Sequence, residues 1–449
     1  MATFKIACKK NLFKTMKRFF VVIFASCITL NIYSQSGTNS PYSHYGLGIL
    51  NDQSNGFSRG MNGLGIGFHE HNHVNVLNPA SYSEIDSLSF IFDMGLSGQI
   101  TNFEENGRKL NANNSNFEYA VAGLRAARHL GVSFGILPYS NVGYNYATTQ
   151  KINSNISATS DTKYTNTHSG SGGFHQVFLG MGWQPIKGFA VGANISYFWG
   201  SYDKSLVNSY SDSYVNTLSK FYSVTVNNYK LELGLQYTTA LSKKDELTIG
   251  FTYGHGHKLG SDPECKTIST NSQTGVSDTA TYVAKDGLEL PPSYGAGLMW
   301  NHREKWKIGI DYTFQKWSSV SYPVYEVVNE IPAYTISKEM FNDRHKITIG
   351  GEFCPNEKGR GFFQRIHYRA GAAYTTPYLK INGIDGPKEY SVSAGFGIPI
   401  INTYNNRSLL NISAQWTCQD SKTFIKENTF RINIGLTFNE RWFAKWKMQ

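Results

Sequence analysis

The run HEHNH, residues 69–73, sets His69, His71 and His73 at alternate positions around Glu70 and Asn72. Imidazoles at i, i+2 and i+4 share a face only on extended backbone, and a metal centre needs three converging ligands with partners that orient them. His44 or Glu70 could complete such a set. The competing reading, and the one expected, is that these histidines are solvated or lumen-facing polar residues and that no metal is held. His255 and His257 in GHGHK pose the same choice. No serine–histidine–aspartate order, paired-carboxylate motif or metalloprotease helix occurs, so no enzyme is expected and no cofactor is called for. Gly60, Gly63, Gly65 and Gly67 lack the spacing of a nucleotide loop; backbone packed closely against a wall explains them better.

The elements that carry these residues are strands. With 43 Gly, 28 Tyr and 28 Phe and only 16% charged residues, the 449-residue chain favours strands and turns over helices. Apolar residues recur with period two. Leu231, Leu233, Leu235 and Tyr237 alternate with Glu232, Gly234 and Gln236, and Trp306, Ile308, Ile310 and Tyr312 alternate with Lys307, Gly309 and Asp311. Each such segment has one greasy face and one polar or glycine face. Fourteen can be marked: roughly 87–98, 115–126, 129–151, 172–185, 188–201, 222–240, 245–257, 292–302, 305–317, 343–355, 362–377, 387–400, 406–418 and 427–438.

Connections after even-numbered segments are tight (QPIKG, SKKDE, HREK), whereas those after odd-numbered ones are mostly long and rich in Ser, Thr and Asn. An even count with loop lengths sorted by side predicts an all-β, 14-stranded antiparallel transmembrane β-barrel. A soluble sandwich would also alternate, but its loops need not sort. No mature segment reaches 18 uninterrupted apolar residues, so no transmembrane helix is expected.

The net charge of +10 is concentrated at the start. Lys5, Lys9, Lys10, Lys14, Lys17 and Arg18 lie within the first 35 residues, which hold no Asp or Glu, leaving 36 cations against 32 anions beyond. Those cations precede the apolar stretch Phe19 to Leu30, so residues 1–35 read as a secretory signal peptide, with Met1 or Met16 as the start. A nucleic-acid partner is not expected. Beyond the leader Cys265, Cys354 and Cys418 are widely spaced and odd in number, with no disulfide framework or zinc motif. Residues 36–86 are glycine-rich without sustained periodicity and read as a plug before the barrel, 87–438; a tail, 439–449, follows.

Pro138 interrupts the third segment, beside Tyr139 and Ser140. Lacking an N–H, it must fall at a bulge or a local opening, so these three residues mark either a lateral gate or a structural bend. Polar faces turn Glu232, Lys307, Asp311, Glu352, Arg365, Arg369 and Arg431 toward the interior, and their mixed signs suit ion pairs that anchor a plug better than an ion path.

Five stretches in order, LNPASYSEID (77–86), GILPYSNVGY (135–144), VGANISYFWG (191–200), LPPSYGAGLMW (290–300) and GLTFNERWFAKWK (435–447), resemble the FadL-type outer-membrane transporters of hydrophobic compounds in the form found in Bacteroidetes-like bacteria. The resemblance spans nearly all of the mature chain. It implies a barrel closed by an N-terminal hatch carrying Asn78, Pro79 and Ala80, and passive uptake of a hydrophobic or amphipathic small molecule released sideways at a break in strand 3. It also implies residence in the outer membrane among its lipids. The long loops read as polar, apart from Tyr210, Tyr214 and Tyr282, which leaves no apolar outer pocket legible. Loops after segments 5, 7 and 9 are long enough to bind a protein, so a docking or shuttle component of a secretion system is the alternative.

Overall fold

Alternation of apolar and polar residues becomes, in the computed structural model, an inside-out protein. The structure describes residues 37–87, 89–105, 107–151, 163–400, 408–421 and 423–440; the expected leader and nearly all of the expected tail lie outside them. Leu96, Leu179, Ile195, Leu235, Ile308, Ile349 and Ile434 are each 43–58% exposed, while Asp93, Gln176, Asn194, Gln236, Lys307 and Glu352 are buried. Only a hydrocarbon solvent around the outer face makes that distribution favourable.

Fourteen antiparallel strands build the wall: β1 (Phe90–Glu105), β2 (Arg108–Ala127), β3 (Leu130–Lys151), β4 (Lys163–Ile186), β5 (Phe189–Tyr210), β6 (Thr217–Ala240), β7 (Asp245–Gly254), β8 (Ser293–His302), β9 (Trp306–Gln315), β10 (Arg344–Phe353), β11 (His367–Thr375), β12 (Lys388–Ile400), β13 (Ser408–Asp420) and β14 (Lys426–Glu440). Neighbours pair in chain order. β1 then pairs with β14 from Phe90–Glu440 to Glu104–Lys426, which closes the ring. Closure satisfies backbone groups that lipid cannot, which is why strands can cross here at all.

The strand count and the alternation agree with the expectation, but the loops do not. β7 to β11 have 9 or 10 residues, about what one tilted crossing needs. β2 to β6 have 20 to 24 and rise on the order of 30 Å further. The stretch after β1, read as a long polar loop, is a continued hairpin turning at Gly107, whose φ of +77° requires a left-handed turn residue. Above the membrane both faces of a strand meet water, so the apolar period disappears while the pairing continues. The long connection after β7 folds too: Glu264–Thr270 pairs with the upper part of β6 and with Ser277–Val283.

One short-side turn is also longer than expected. Residues 354–366 separate β10 from β11, so Arg365 lies in that connection and not on a strand face.

Residues 37–86 hold a 3-10 turn (Pro41–His44), a two-residue strand (Ile49–Leu50), a helical turn (Gly56–Arg59) and a second 3-10 turn (Pro79–Glu84). Among these residues only Asn39 and His71 are exposed; the rest are buried or half-buried, many of them against inward-facing barrel residues. A Cβ at Gly192 would strike Pro79, and one at Gly131 the Tyr82 carbonyl, so wall and segment meet backbone to backbone.

Candidate functional site

The wall is incomplete at one seam. Pairing between β2 and β3 runs from Ala127–Leu130 up to Ala120–Ile136 and stops, whereas β3 stays paired with β4 to Lys151–Lys163. Two residues above the last pair stands Pro138, and the β3–β4 register shifts between Pro138 and Ser140, leaving Tyr139 as the extra residue of a bulge. The break begins within the apolar belt. Met94 pairs with Ala120 at that level, and Leu96 and Ile100, higher on the same strand, are still apolar and turned outward.

Unpaired backbone at that depth costs several kcal/mol per group unless something replaces the missing strand. Residues 37–53 replace it. Ile49 and Leu50 pair with Asn141 and Ser140, and the Asn51 amide donates to the Tyr139 carbonyl at 2.9 Å. The Gln53 amide nitrogen donates to the Pro138 carbonyl at 3.0 Å, and the Ser140 hydroxyl to the Leu47 carbonyl at 2.7 Å. Across the gap, Asn116 on β2 donates to the Gly37 carbonyl at 3.0 Å. Further round the ring Ser40 donates to Glu427 at 2.6 Å, and Lys204 donates to the carbonyls of His44 and Gly46 at 2.8 and 3.0 Å.

Gln53 also joins the seam to the rest of the bore. Its carbonyl oxygen accepts from Gln176 at 2.5 Å, Gln176 accepts from Lys230 at 3.2 Å, and Lys230 pairs with Glu232 at 2.6 Å. Glu232, one of the expected interior charges, thus ends a polar chain that begins at the Pro138 carbonyl.

Of the other interior charges, Lys307 and Asp311 tie down the N-terminal segment, while Glu352, Arg369 and Arg431 bond along the wall. Glu352 lies 2.7 Å from Arg369, 3.1 Å from His367 and 3.4 Å from Lys307, and Lys307 reaches Glu70 at 2.8 Å. Asp311 accepts from the amides of Gly65 and Ile66 at 2.7 and 2.8 Å. Arg431 donates twice to Gln99, at 3.0 and 2.8 Å. Arg365 has no ion pair among the described residues and stands apart from this group.

Asn78, Pro79 and Ala80 form the start of the second 3-10 turn. The Asn78 side-chain Oδ1 accepts from the Ala80 amide at 3.1 Å, capping the turn, while its Nδ2 donates to the carbonyls of Ile66 and of Leu235 on β6 at 2.9 and 3.1 Å. Proline fits the first turn position, where no N–H is needed. The motif therefore fastens turn to wall.

The three histidines of the opening run diverge. His69 bonds Gln236 at 2.6 Å and Glu84 at 3.2 Å; His71 is exposed; His73 is buried with its ring 4.8 Å from that of Phe57. Burial would lower the His69 imidazole, but the bonds to Glu84 and Gln236 hold it above its ordinary range, and Glu84 is held below its own. Burial keeps His73 well below the usual imidazole range. Among the described residues no three His, Cys, Asp or Glu side chains gather as a metal site.

Between residues 37–77 and the wall lies a cavity of about 240 Å³, lined by Asp52 of the segment and by Arg344, Lys346, Glu389 and Arg431 of the wall among others. Beside it is an apolar cluster that the sequence pattern does not reveal. Leu259 and Leu290, Trp317 and Phe341, and Leu379 come from three long connections and meet Tyr139, Phe174 and Phe198 from the extended strands. Tyr139 sits edge-on to Phe198 at 5.1 Å, joining this cluster to the seam. Equally unmarked in the sequence are Asn51 and Gln53, which belong to no periodic pattern, and the buried Arg59–Glu118 pair at 2.9 Å. Glu118 falls at a β2 bulge, where alternation breaks.

A family model described as BamG matches residues 16–449. No curated protein matches the sequence. Among solved structures, the toluene transporter TbuX of Ralstonia pickettii aligns over 86% of this chain and 98% of its own, at 13% identity and a TM-score of 0.57. The toluene transporter TodX of Pseudomonas putida aligns over 88% and 98%, at 14% identity and 0.56. A Pseudomonas aeruginosa FadL homologue aligns over 87% and 99%, at 10% identity and 0.56. At such identities the likeness is one of fold.

Proposed function

Given that this chain belongs to the BamG family and has the fold of barrels that carry toluene, we propose that it is an outer-membrane conduit. It admits a hydrophobic or amphipathic small molecule passively and releases it sideways between β2 and β3. The short-turn end faces the periplasm and the tall strands face outward, as loop asymmetry in outer-membrane barrels requires. Residues 37–86 are the hatch. The ligand lands on the apolar cluster beneath the outer loops, descends past Tyr139 and leaves where the ladder is missing.

The observation that carries this reading is the seam: pairing lost inside the lipid belt, beside a proline, and filled by a segment that is not part of the wall. A barrel with only a structural bend needs no such replacement. Route and gate are one reading, tested by mass spectrometry of molecules retained in mild detergent together with uptake of a radiolabelled monoaromatic compound. Retained apolar ligands and barrel-dependent uptake support it; an empty barrel that conducts nothing overturns it.

The second reading, a shuttle or docking component for secretion, draws on the outer loops and their exposed apolar side chains, among them Tyr214, Val276 and Ile331. Stoichiometric recovery of a large secretion subunit, lost when residues 264–283 are removed, would favour it.

A further inference from the structure

The short-turn end holds a feature that transport does not use. Where β8 and β9 are joined by residues 303–305, the β10–β11 connection runs for 13 residues, CPNEKGRGFFQRI. It is ordered by its own bonds: the Asn356 amide donates to the Gln364 carbonyl at 2.8 Å, and the Arg365 amide to the Phe362 carbonyl at 3.1 Å. Yet Phe362 and Phe363 are 48% and 73% exposed, with Lys358 and Arg360 exposed beside them.

Its direction is given by one contact. The hydroxyl of Tyr368, an outward-facing residue of β11, donates to the Phe363 carbonyl at 3.2 Å. Tyr368 also lies edge-on to Phe396 at 5.8 Å and within 6.4 Å of Phe353, which stacks on Trp306 at 4.1 Å. These rings form an aromatic girdle of the kind that marks a lipid headgroup boundary. The connection therefore leans over the girdle and away from the bore, carrying its two phenylalanines into the same band. Lys358, Arg360 and Arg365 against Glu357 leave it net cationic.

We propose that residues 354–366 are an interfacial wedge that seats Phe362 and Phe363 in the periplasmic leaflet and binds anionic phospholipid headgroups through Lys358 and Arg360. The wedge rests on the membrane orientation given above but not on the gate. Apolar rings at headgroup depth gain by burial, and each nearby cation adds attraction to an anionic surface.

The test reads immersion and lipid choice separately. A nitroxide is attached at Phe363→Cys, at Gln364→Cys, which keeps both rings, and at Lys243→Cys on an ordinary tight turn. The three cysteines beyond the leader, Cys265, Cys354 and Cys418, are buried. Each protein is reconstituted into vesicles of phosphatidylethanolamine and phosphatidylglycerol, and folding is checked by heat-modifiable gel mobility. Labels at 363 and 364 are expected to collide with oxygen in preference to a water-soluble nickel chelate, and the label at 243 to do the reverse. Native mass spectrometry of Lys358→Ala/Arg360→Ala is expected to show phosphatidylglycerol retention roughly tenfold lower, with phosphatidylethanolamine unchanged. Labels at 363 and 364 as accessible to the chelate as that at 243 would overturn the wedge, including the case in which a periplasmic protein covers the loop instead. Unchanged phosphatidylglycerol retention would overturn the headgroup assignment.

Discussion

Replacing Gln53 by leucine probes the coupling between hatch and seam. In the closed barrel Gln53 donates to the Pro138 carbonyl and accepts from Gln176. Leucine keeps the bulk and removes both bonds, leaving a bulge carbonyl and a buried amide without those partners. An unsatisfied buried group costs about 1–3 kcal/mol, whereas in an open seam the same groups reach water and lose little. The closed state should therefore lose roughly 2 kcal/mol relative to the open one, raising the open population by about 30-fold while it remains the minor state. Uptake of a radiolabelled monoaromatic probe rises accordingly if opening limits the flux, and amide exchange at Tyr139 and Asn141 accelerates. Pro138→Val acts in the opposite sense: it supplies the missing N–H at the seam, and uptake falls. A folded Gln53→Leu barrel with unchanged uptake and unchanged exchange at those two residues would refute the coupling.

The remaining expectations concern the hatch. In Gly192→Val the new side chain meets Pro79, so the Asn78–Ala80 turn lifts from the wall and single-channel conductance in planar bilayers rises above that of the parent. In Glu352→Gln the charges of Lys307 and Arg369 lose their shared counter-ion, and stability to urea in detergent falls by roughly 3–5 kcal/mol. The His69–Glu84 tie has a defined pH window. A raised imidazole pKa adds stability that is complete below its unfolded value of 6.5 and lost as pH climbs through the folded one; a depressed carboxyl adds stability present above 4.5 and lost as pH falls through its folded value. Amide exchange over residues 69–86, corrected for intrinsic rate, should therefore quicken as pH is raised above 6.5 through the elevated imidazole pKa.

Alternation makes the wall legible in the residue order alone, because a residue facing lipid and one facing the bore cannot exchange chemistry without cost. Leu235 and Gln236, or Ile310 and Asp311, announce their sides directly. Pro138 is legible as a defect for a similarly local reason, the missing donor. What replaces the lost pairing is not, since the wall partners of Asn51 and Gln53, the carbonyls of Tyr139 and Pro138, are distant in sequence. The outer apolar cluster is invisible there because Trp317, Phe341 and Leu379 belong to no periodic run and converge only through folding. Arg365 is misplaced onto a strand because Arg365 and Ile366 continue the alternation of β11 beyond the end of its pairing.

The central claim, that residues 37–53 close an exit between β2 and β3, is tested most directly by a reversible staple. Ile49 and Asn141 are facing partners across the substitute pairing, within disulfide reach as cysteines. Ile49→Cys/Asn141→Cys should abolish uptake of the monoaromatic probe when oxidised and recover it when a reductant is added, with either single variant indifferent to both. Uptake that continues undiminished through the oxidised, folded barrel would contradict the account.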